Sequence, residues 1–342
     1  MSKRDIIVIG ASAGGTEALK KLVAQLPDNF LGTLFIVLHI SPECRSVLPQ
    51  ILDRLCPLPV VQATDSEAHQ PGRIYVAPPD HHLIVEQGLV RVTRGPKENR
   101  FRPSVDVLFR SAARAYGKRV IGVVLAGALD DGASGLYAVQ EQGGIAVVQD
   151  PFEALYPSMP ISAMKAVAVD HCVPIAELGS LLVSLTTKAV SSEEVFSVSE
   201  QMEIEVGVAR EDNAFKRGIM KLGEPSPYSC PECHGVLLRL KQGKLIRFRC
   251  HTGHAYSPNS LLAEVTKSID DALWNTLRGI EESEMLMSHI AQHLREANDV
   301  DTAELFLQKA DDAQRRADLV RQAVMSHEIL STEKLRSDTK SP

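Results

Sequence analysis

The apolar run Ile6-Ile7-Val8-Ile9 gives way at once to Gly10-Ala11-Ser12-Ala13-Gly14-Gly15, and a helical pattern follows from Glu17. A short strand with no polar alternation has to be buried on both faces, and one that runs through a tight turn into a helix is the first half of a βαβ unit. The succession recurs where Val120-Ile121-Gly122-Val123-Val124-Leu125 precedes a helical pattern beginning near Gly132. The patterning predicts strands over Asp5–Gly10, Thr33–Ile40, Arg73–Ala77, Leu83–Val85, Leu89–Thr93, Val120–Ala126, Ala146–Gln149 and Val167–Val173. Helices are predicted over Glu17–Gln25, Ser46–Leu55, Val105–Tyr116, Gly132–Gln142 and Ser162–Ala166. Residues 1–190 therefore read as an α/β domain with a doubly wound, mainly parallel, Rossmann-like sheet. The alternation around Gly88 adds a hairpin within Arg73–Thr93, expected as an antiparallel edge of that sheet.

A chain of 342 residues with 44% hydrophobic and 23% charged side chains has room for about two domains and material for a sizeable core. Its formal charge of −6 is uneven, since the first 190 residues carry 18 basic and 18 acidic side chains and the remainder 19 and 25. With no Lys/Arg stripe, nucleic acid is excluded as an expected partner, and no polybasic patch serves a membrane surface. No apolar run approaches the roughly 18 residues of a membrane span, Val120–Leu129 being about half that. Asp5 and the following glycines also interrupt any secretory leader. Six scattered cysteines do not make a disulfide framework, so a reducing, cytoplasmic compartment is expected.

The Gly-x-Ser-x-Gly turn at Ser12 falls between strand and helix, where α/β sheets present groups to a cleft. Taken alone, Ser12 is as well explained as a helix N-cap. A serine nucleophile needs a base, and His39 closes the strand Leu34-Phe35-Ile36-Val37-Leu38, so it should reach the same edge of the sheet. A third strand end supplies Asp130 and Asp131, either of which can orient a histidine or cap the next helix. Three strand ends thus deliver Ser, His and Asp to one side of one sheet.

At this point the chain resembles a known family. Gly10-Ala11-Ser12-Ala13-Gly14-Gly15, Leu38-His39-Ile40-Ser41-Pro42, Ile74-Tyr75-Val76-Ala77-Pro78-Pro79-Asp80, Arg102-Pro103-Ser104-Val105-Asp106-Val107-Leu108-Phe109 and Asp131-Gly132-Ala133-x-Gly135 follow the order of the chemotaxis protein-glutamate methylesterases, the CheB family. The resemblance covers roughly residues 4–188. It implies hydrolysis of glutamate methyl esters on methyl-accepting chemoreceptors, and commonly glutamine deamidation, without a catalytic cofactor. By position it makes Ser12 the nucleophile, His39 the general base and Asp131, in preference to Asp130, the orienting carboxylate. Backbone N–H groups of Ala13 and Ala128 are the expected oxyanion donors. Ala13 departs from the family, many members of which carry a hydroxyl residue there. Most members also have an N-terminal receiver domain, and none is expected on a chain whose catalytic strand starts at about Asp5.

The back half changes character. Residues 191–227 read as a polar linker and residues 228–258 as a metal module. Cys230-Pro231-Glu232-Cys233 and Cys250-His251-Thr252-Gly253-His254 place two ligand pairs on two turns, joined by a hairpin turning at Gly243. That spacing suits one structural zinc on Cys230, Cys233, Cys250 and His254, with His251 as the alternative histidine and a redox cysteine pair as the rival reading. The segment is similar to the zinc-ribbon extension found behind some stand-alone methylesterase domains. Residues 259–330 form a predicted helical hairpin, broken at Asn298-Asp299, with Asp301 and Glu304 as a capping box for its second helix. Residues 331–342 are expected to be a loose tail. The hairpin is the expected contact for a regulatory partner, and the catalytic domain is expected to stand without the metal module.

Two other readings compete. A dinucleotide fold would want glycine at Ser12 and an acid where His39 stands, which speaks against it. A weakly active adaptor built on the esterase scaffold is the alternative that the residues leave open.

Overall fold

The computed structural model describes residues 2–43, 45–190, 197–210 and 213–330. The start of the predicted linker, 191–196, and the predicted tail, 331–342, lie outside the described residues. The chain divides into two compact units, Met1–Leu261 and Leu262–Pro342.

The first unit opens with β1 (Ser2–Lys3), β2 (Ile6–Ala11) and α1 (Gly15–Val23), followed by β3 (Thr33–Leu38), α2 (Leu48–Asp53), β4 (Val60–Gln62) and β5 (Ile74–Val76). Next come β6 (His82–Glu86), β7 (Leu89–Thr93), α3 (Val105–Tyr116), β8 (Val120–Val124), α4 (Ala133–Glu141), β9 (Ile145–Gln149) and α5 (Ser158–Ala166). After β10 (His171–Val173), α6 (Ile175–Thr187) and β11 (Ala189–Val190), α7 covers Glu200–Ala209. Seven strands form one parallel sheet in the order β10-β9-β8-β2-β3-β5-β4, while β1 pairs antiparallel with β11. Every residue of β2, β3 and β8 is buried, as apolar runs without alternation require. One core lies on each face, the first built on Val8, Phe35, Leu108, Phe109 and Leu136 and the other on Ile7, Leu19, Leu22, Ile36 and Leu178.

Strand order reverses about β2, which has β3 on one side and β8 on the other. In an open α/β sheet the crevice past the strand ends at such a reversal is where ligands bind. Ser12, His39 and the Asp130–Asp131 loop leave the sheet there.

Three expectations are corrected. The β6–β7 hairpin is a separate two-stranded sheet covering α3, and β5 lies inside the main sheet, parallel to both neighbours. Residues 200–209 of the predicted linker form α7, whose Met202 and Val206 join the core and whose Glu205 is buried. The metal module, an antiparallel sheet of β12 (Glu224–Ser229), β13 (Val236–Gln242), β14 (Leu245–Cys250) and β15 (Ala255–Tyr256), belongs to the same compact unit as the α/β domain. A boundary near residue 190 thus does not exist as a structural division. α3 and α7 are joined to β14 by a fully buried ion cluster of Glu98, Glu205, Arg110, Arg247 and Arg249.

The second unit is a helical hairpin made of the greater part of α8 (Pro258–Glu296) and of α9 (Val300–Ser326). The buried face of α9 carries Ala303, Ala310, Ala313, Ala317 and Val324, a stripe of small side chains at helical spacing. Its N-cap is Asp299, whose carboxylate accepts from Thr302 N–H at 3.2 Å, so the predicted cap at Asp301 is corrected by two residues and Asp301 and Glu304 lie inside the helix. Among the described residues no helix is long and apolar enough to cross a membrane.

Candidate active site

β2 ends at Ala11, and the chain turns through Ser12 and Ala13 into α1. The left-handed conformation that this turn requires falls on Gly14, with φ 74°, not on Ser12. The turn packs tightly against the next strand end, since a Cβ on Gly127 would meet Met159 Sδ at 2.0 Å and Ser12 Cβ at 2.8 Å. Glycine at 127 is what allows the loop after β8 to reach the serine.

His39 joins the two remaining groups. Its Nδ1 lies 3.1 Å from Ser12 Oγ and its Nε2 lies 2.9 Å from Asp131 Oδ2. A carboxylate can only accept, so Nε2 carries the proton and Nδ1 is left with a free lone pair facing the serine. The imidazole is nearly closed off, its side chain 3% exposed, and the Phe101 ring stacks on it with centroids 3.7 Å apart and planes 7° apart.

Asp131 is fully enclosed and saturated with donors. Oδ2 accepts from His39 Nε2 and, at 2.7 Å, from Val105 N–H. Oδ1 accepts from Asn99 Nδ2 at 2.9 Å, Ser104 Oγ at 3.0 Å and the N–H groups of Asp106 and Gly132. Burial alone would raise its pKa, but the hydrogen bond and charge of His39, followed by Asn99 and Val105, hold it below the usual carboxylate value. Asp130 faces elsewhere: its carboxylate accepts from Ser257 Oγ at 2.7 Å and Asn259 Nδ2 at 3.1 Å.

A second carboxyl, Asp106, sits beside Asp131 and shares Asn99 with it. It accepts from Asn99 Nδ2 at 2.8 Å and from the N–H groups of Gly132 and Gly135. Burial, and then the charge of Asp131, push its pKa up to about 7. Behind Ser104 lies His82, fully buried, with Nδ1 accepting from Ser104 N–H and Nε2–H donating to Pro96 O at 2.9 Å. Burial pushes this imidazole's pKa down, which keeps it neutral in that role.

The serine opens into a cavity of about 470 Å³ bordered by Ala13, His39, Pro42, Lys97, Arg100 and Phe101. Ala13, one of the two predicted oxyanion donors, borders it. Ala128 is not among its lining residues, and the adjacent Gly127 N–H donates to Tyr156 O at 2.8 Å.

The four predicted metal ligands also converge. Cys233 Sγ is 3.6 Å from Cys250 Sγ, and His254 Nδ1 is 3.7 Å from Cys230 Sγ and 3.6 Å from Cys250 Sγ. All four ligand atoms lie within 4.8 Å of one another, and the three thiols are free of disulfides. His251 packs instead over Gly235, where a Cβ would meet its ring at 2.3 Å.

Sequence reasoning missed Phe101, Asn99, Ser104 and Asp106 as parts of the site. Ser104 and Asp106 lie in a motif already singled out, and their signal was two polar residues at the start of an otherwise apolar helix face.

Comparisons with known proteins point to one family. The CheB methylesterase family model matches residues 7–182. A Leptospira interrogans relative, named for the paired activities protein-glutamate methylesterase and protein-glutamine glutaminase, is 40% identical over 182 residues, which is 53% of this chain and 94% of that protein. A protein-glutamate methylesterase/protein-glutamine glutaminase of Anaeromyxobacter dehalogenans is 39% identical over 53% of this chain and 51% of its own length. The crystal structure of the Thermotoga maritima CheB methylesterase catalytic domain superposes with a TM-score of 0.52 at 32% identity, covering 54% of this chain and 100% of that domain.

Proposed function

The chain belongs to the CheB methylesterase family, and from that premise we propose that it is a protein-glutamate methylesterase working through Ser12, His39 and Asp131. The observation that carries the reading is the unbroken relay Ser12 Oγ, His39 Nδ1, His39 Nε2, Asp131 Oδ2 at one end of the substrate cavity. His39 Nδ1 takes the hydroxyl proton as Ser12 Oγ attacks the ester carbonyl, and returns it to the departing methanol. Water then attacks the acyl-serine, with the same nitrogen as base, and frees the glutamate. Asp131 keeps Nε2 protonated and balances the imidazolium. The N–H group of Ala13, which borders the cavity, takes the oxyanion, such a donor contributing about 2.7–4 kcal/mol in serine hydrolases. Glutamine deamidation follows the same path with ammonia as leaving group.

The substrate in this reading is a methyl-accepting chemoreceptor, the compartment is the cytoplasm and the helical hairpin is the contact for a regulatory partner. The adaptor alternative is disfavoured, because a scaffold has no need of a buried carboxylate aligned on a histidine and a serine. Methanol release from methylated receptor is the direct test. Wild-type protein should release it, and Ser12→Ala and His39→Ala should each lose about three orders of magnitude or more, since such residues act as a unit. Equal rates for wild type and Ser12→Ala would remove the reading.

A further inference from the structure

Four ligands around one zinc, with bonds of about 2.3 Å to sulfur and 2.0–2.1 Å to nitrogen, define a tetrahedron with S···S edges of about 3.8 Å and S···N edges of about 3.6 Å. The Cys233–Cys250 edge of 3.6 Å and the His254 edges of 3.7 and 3.6 Å to Cys230 and Cys250 match that figure. A disulfide would need sulfurs at about 2.05 Å. Three thiols and an imidazole are a donor set that zinc prefers, and the Thr252 hydroxyl, 2.9 Å from Cys250 Sγ and 3.2 Å from Cys233 Sγ and from His254 Nδ1, adds hydrogen bonds to that set.

The knuckles do more than close on themselves. Glu232, inside the first, pairs with Lys97 Nζ at 2.7 Å. Ala255, directly after His254 in the second, accepts from Asn99 N–H at 2.7 Å and donates to Lys97 O at 3.2 Å. Two residues on, Ser257 N–H donates to Asn99 Oδ1 at 2.9 Å, and Ser260 Oγ donates to the same oxygen. Asn99 thus spends its side-chain oxygen on Ser257, at the end of the metal module, and on Ser260, in the first turn of α8, and both Nδ2 donors on the triad side, one to Asp131 and one to Asp106. Two residues beyond it, Phe101 stacks on His39. Both knuckles therefore grip the segment that carries the Asp131 support and the ring covering the catalytic imidazole.

We propose that Cys230, Cys233, Cys250 and His254 bind one zinc ion, and that this zinc sets the competence of the Ser12 site by holding residues 97–101 in place, with Asn99 as the positioning residue between metal module and triad. The second half rests on the esterase reading above; the first does not.

The metal is tested on the full chain by elemental analysis and by cobalt(II) substitution. One zinc per chain and a thiolate-to-cobalt charge-transfer band are expected, both reduced in Cys233→Ser, at the half-buried one of the three cysteines. Substoichiometric zinc together with no such band overturns the site whatever the esterase does. The coupling is tested by stripping the wild-type chain with a chelator and reloading it with zinc. Methanol release should fall by about tenfold or more and return, and amide exchange at Asn99 and Ala255 should rise and return. Unchanged exchange on stripping overturns the coupling even in a protein that releases no methanol, so failure of the esterase reading stays distinguishable. Asn99 has φ 50°, a conformation that glycine adopts freely, so Asn99→Gly removes the amide without straining the backbone and adds no charge beside Asp106 and Asp131. It should keep one zinc while kcat falls by about tenfold or more and KM stays within about twofold. An unchanged kcat, or a fall confined to KM, refutes the positioning role.

Discussion

The ring of Phe101 lies flat on the imidazole of His39, with centroids 3.7 Å apart and planes 7° apart. While the histidine is neutral this contact fixes the ring plane and shields one face from water. When Ser12 gives up its proton the imidazole becomes a cation against an aromatic face, an attraction worth about 0.5–2 kcal/mol that the ground state lacks. An interaction realised only in the transition state appears in kcat.

Phe101→Leu keeps the bulk and removes the quadrupole. It should lower kcat about tenfold, with a smaller rise in KM because Phe101 also borders the cavity. Steady-state methanol release checks this, and a kcat equal to wild type would show that the stacking is only packing.

Asp131 offers two oxygens, and six donors use them. An asparagine must turn its NH2 toward donors on one side or the other. If it faces His39, the imidazole adopts the wrong tautomer and turnover falls by about 10⁴. If it faces Asn99 and Ser104, buried donors are left without partners at about 1–3 kcal/mol each. Asp131→Asn should therefore lose thermal stability in either orientation, since Val105 N–H is orphaned in the first and Asn99 and Ser104 in the second, and should lose activity as well in the first, measurable by calorimetry and methanol release. A loss of activity at unchanged Tm would mean that the donor cage is dispensable.

What the sequence made legible follows from strand ends. Ser12 and His39 directly follow fully buried strands, and Asp131 lies in the loop that leaves the buried strand β8 at the same edge, so the topology brings all three to one side of the sheet. Asn99 and Phe101 sit on an irregular segment whose path is fixed by Ala255 and Ser257, about 155 residues away, and no local periodicity encodes that. Glu200, Glu203 and Glu205 make α7 look like a solvated linker in the sequence, whereas Glu205 is neutralised by arginines from α3 and β14. α6 had a readable signal in Ile175, Leu178, Leu182 and Leu185. Pro160 hid the first turn of α5, where a missing N–H costs nothing.

Asp106 gives the stability a pH slope of unusual sign. Its pKa rises from the ordinary carboxylate range to about 7 in the folded chain, so between about pH 4 and pH 7 the folded state binds the extra proton. The stabilisation is complete below the unfolded value and is lost as pH rises through the folded one, at up to roughly 1.4 kcal/mol per pH unit. Glu205, held at about 2 by Arg110, Arg247 and Arg249 against the effect of burial, acts oppositely and is lost only on acidification. Tm should thus decline from pH 5 to pH 8 in wild type and be flatter in Asp106→Asn, whatever its absolute value. Parallel profiles would show that Asp106 is ionised throughout.

The buried cluster of Glu98, Glu205, Arg110, Arg247 and Arg249 holds three cations against two anions. Glu98 is its hub, bridging Arg110 at 2.8 Å, Arg249 at 2.6 Å and Arg247 at 3.3 Å. Glu98→Gln would leave three guanidinium groups facing one carboxylate, and breaking a buried pair in this way costs about 3–5 kcal/mol. Arg249→Met removes the surplus cation and leaves two charges of each sign, so despite the larger change in side chain it should cost less. Urea denaturation of the full chain ranks the two variants. A larger loss for Arg249→Met would mean that its hydrogen bond to Gly253 O, 2.9 Å long, outweighs the charge balance.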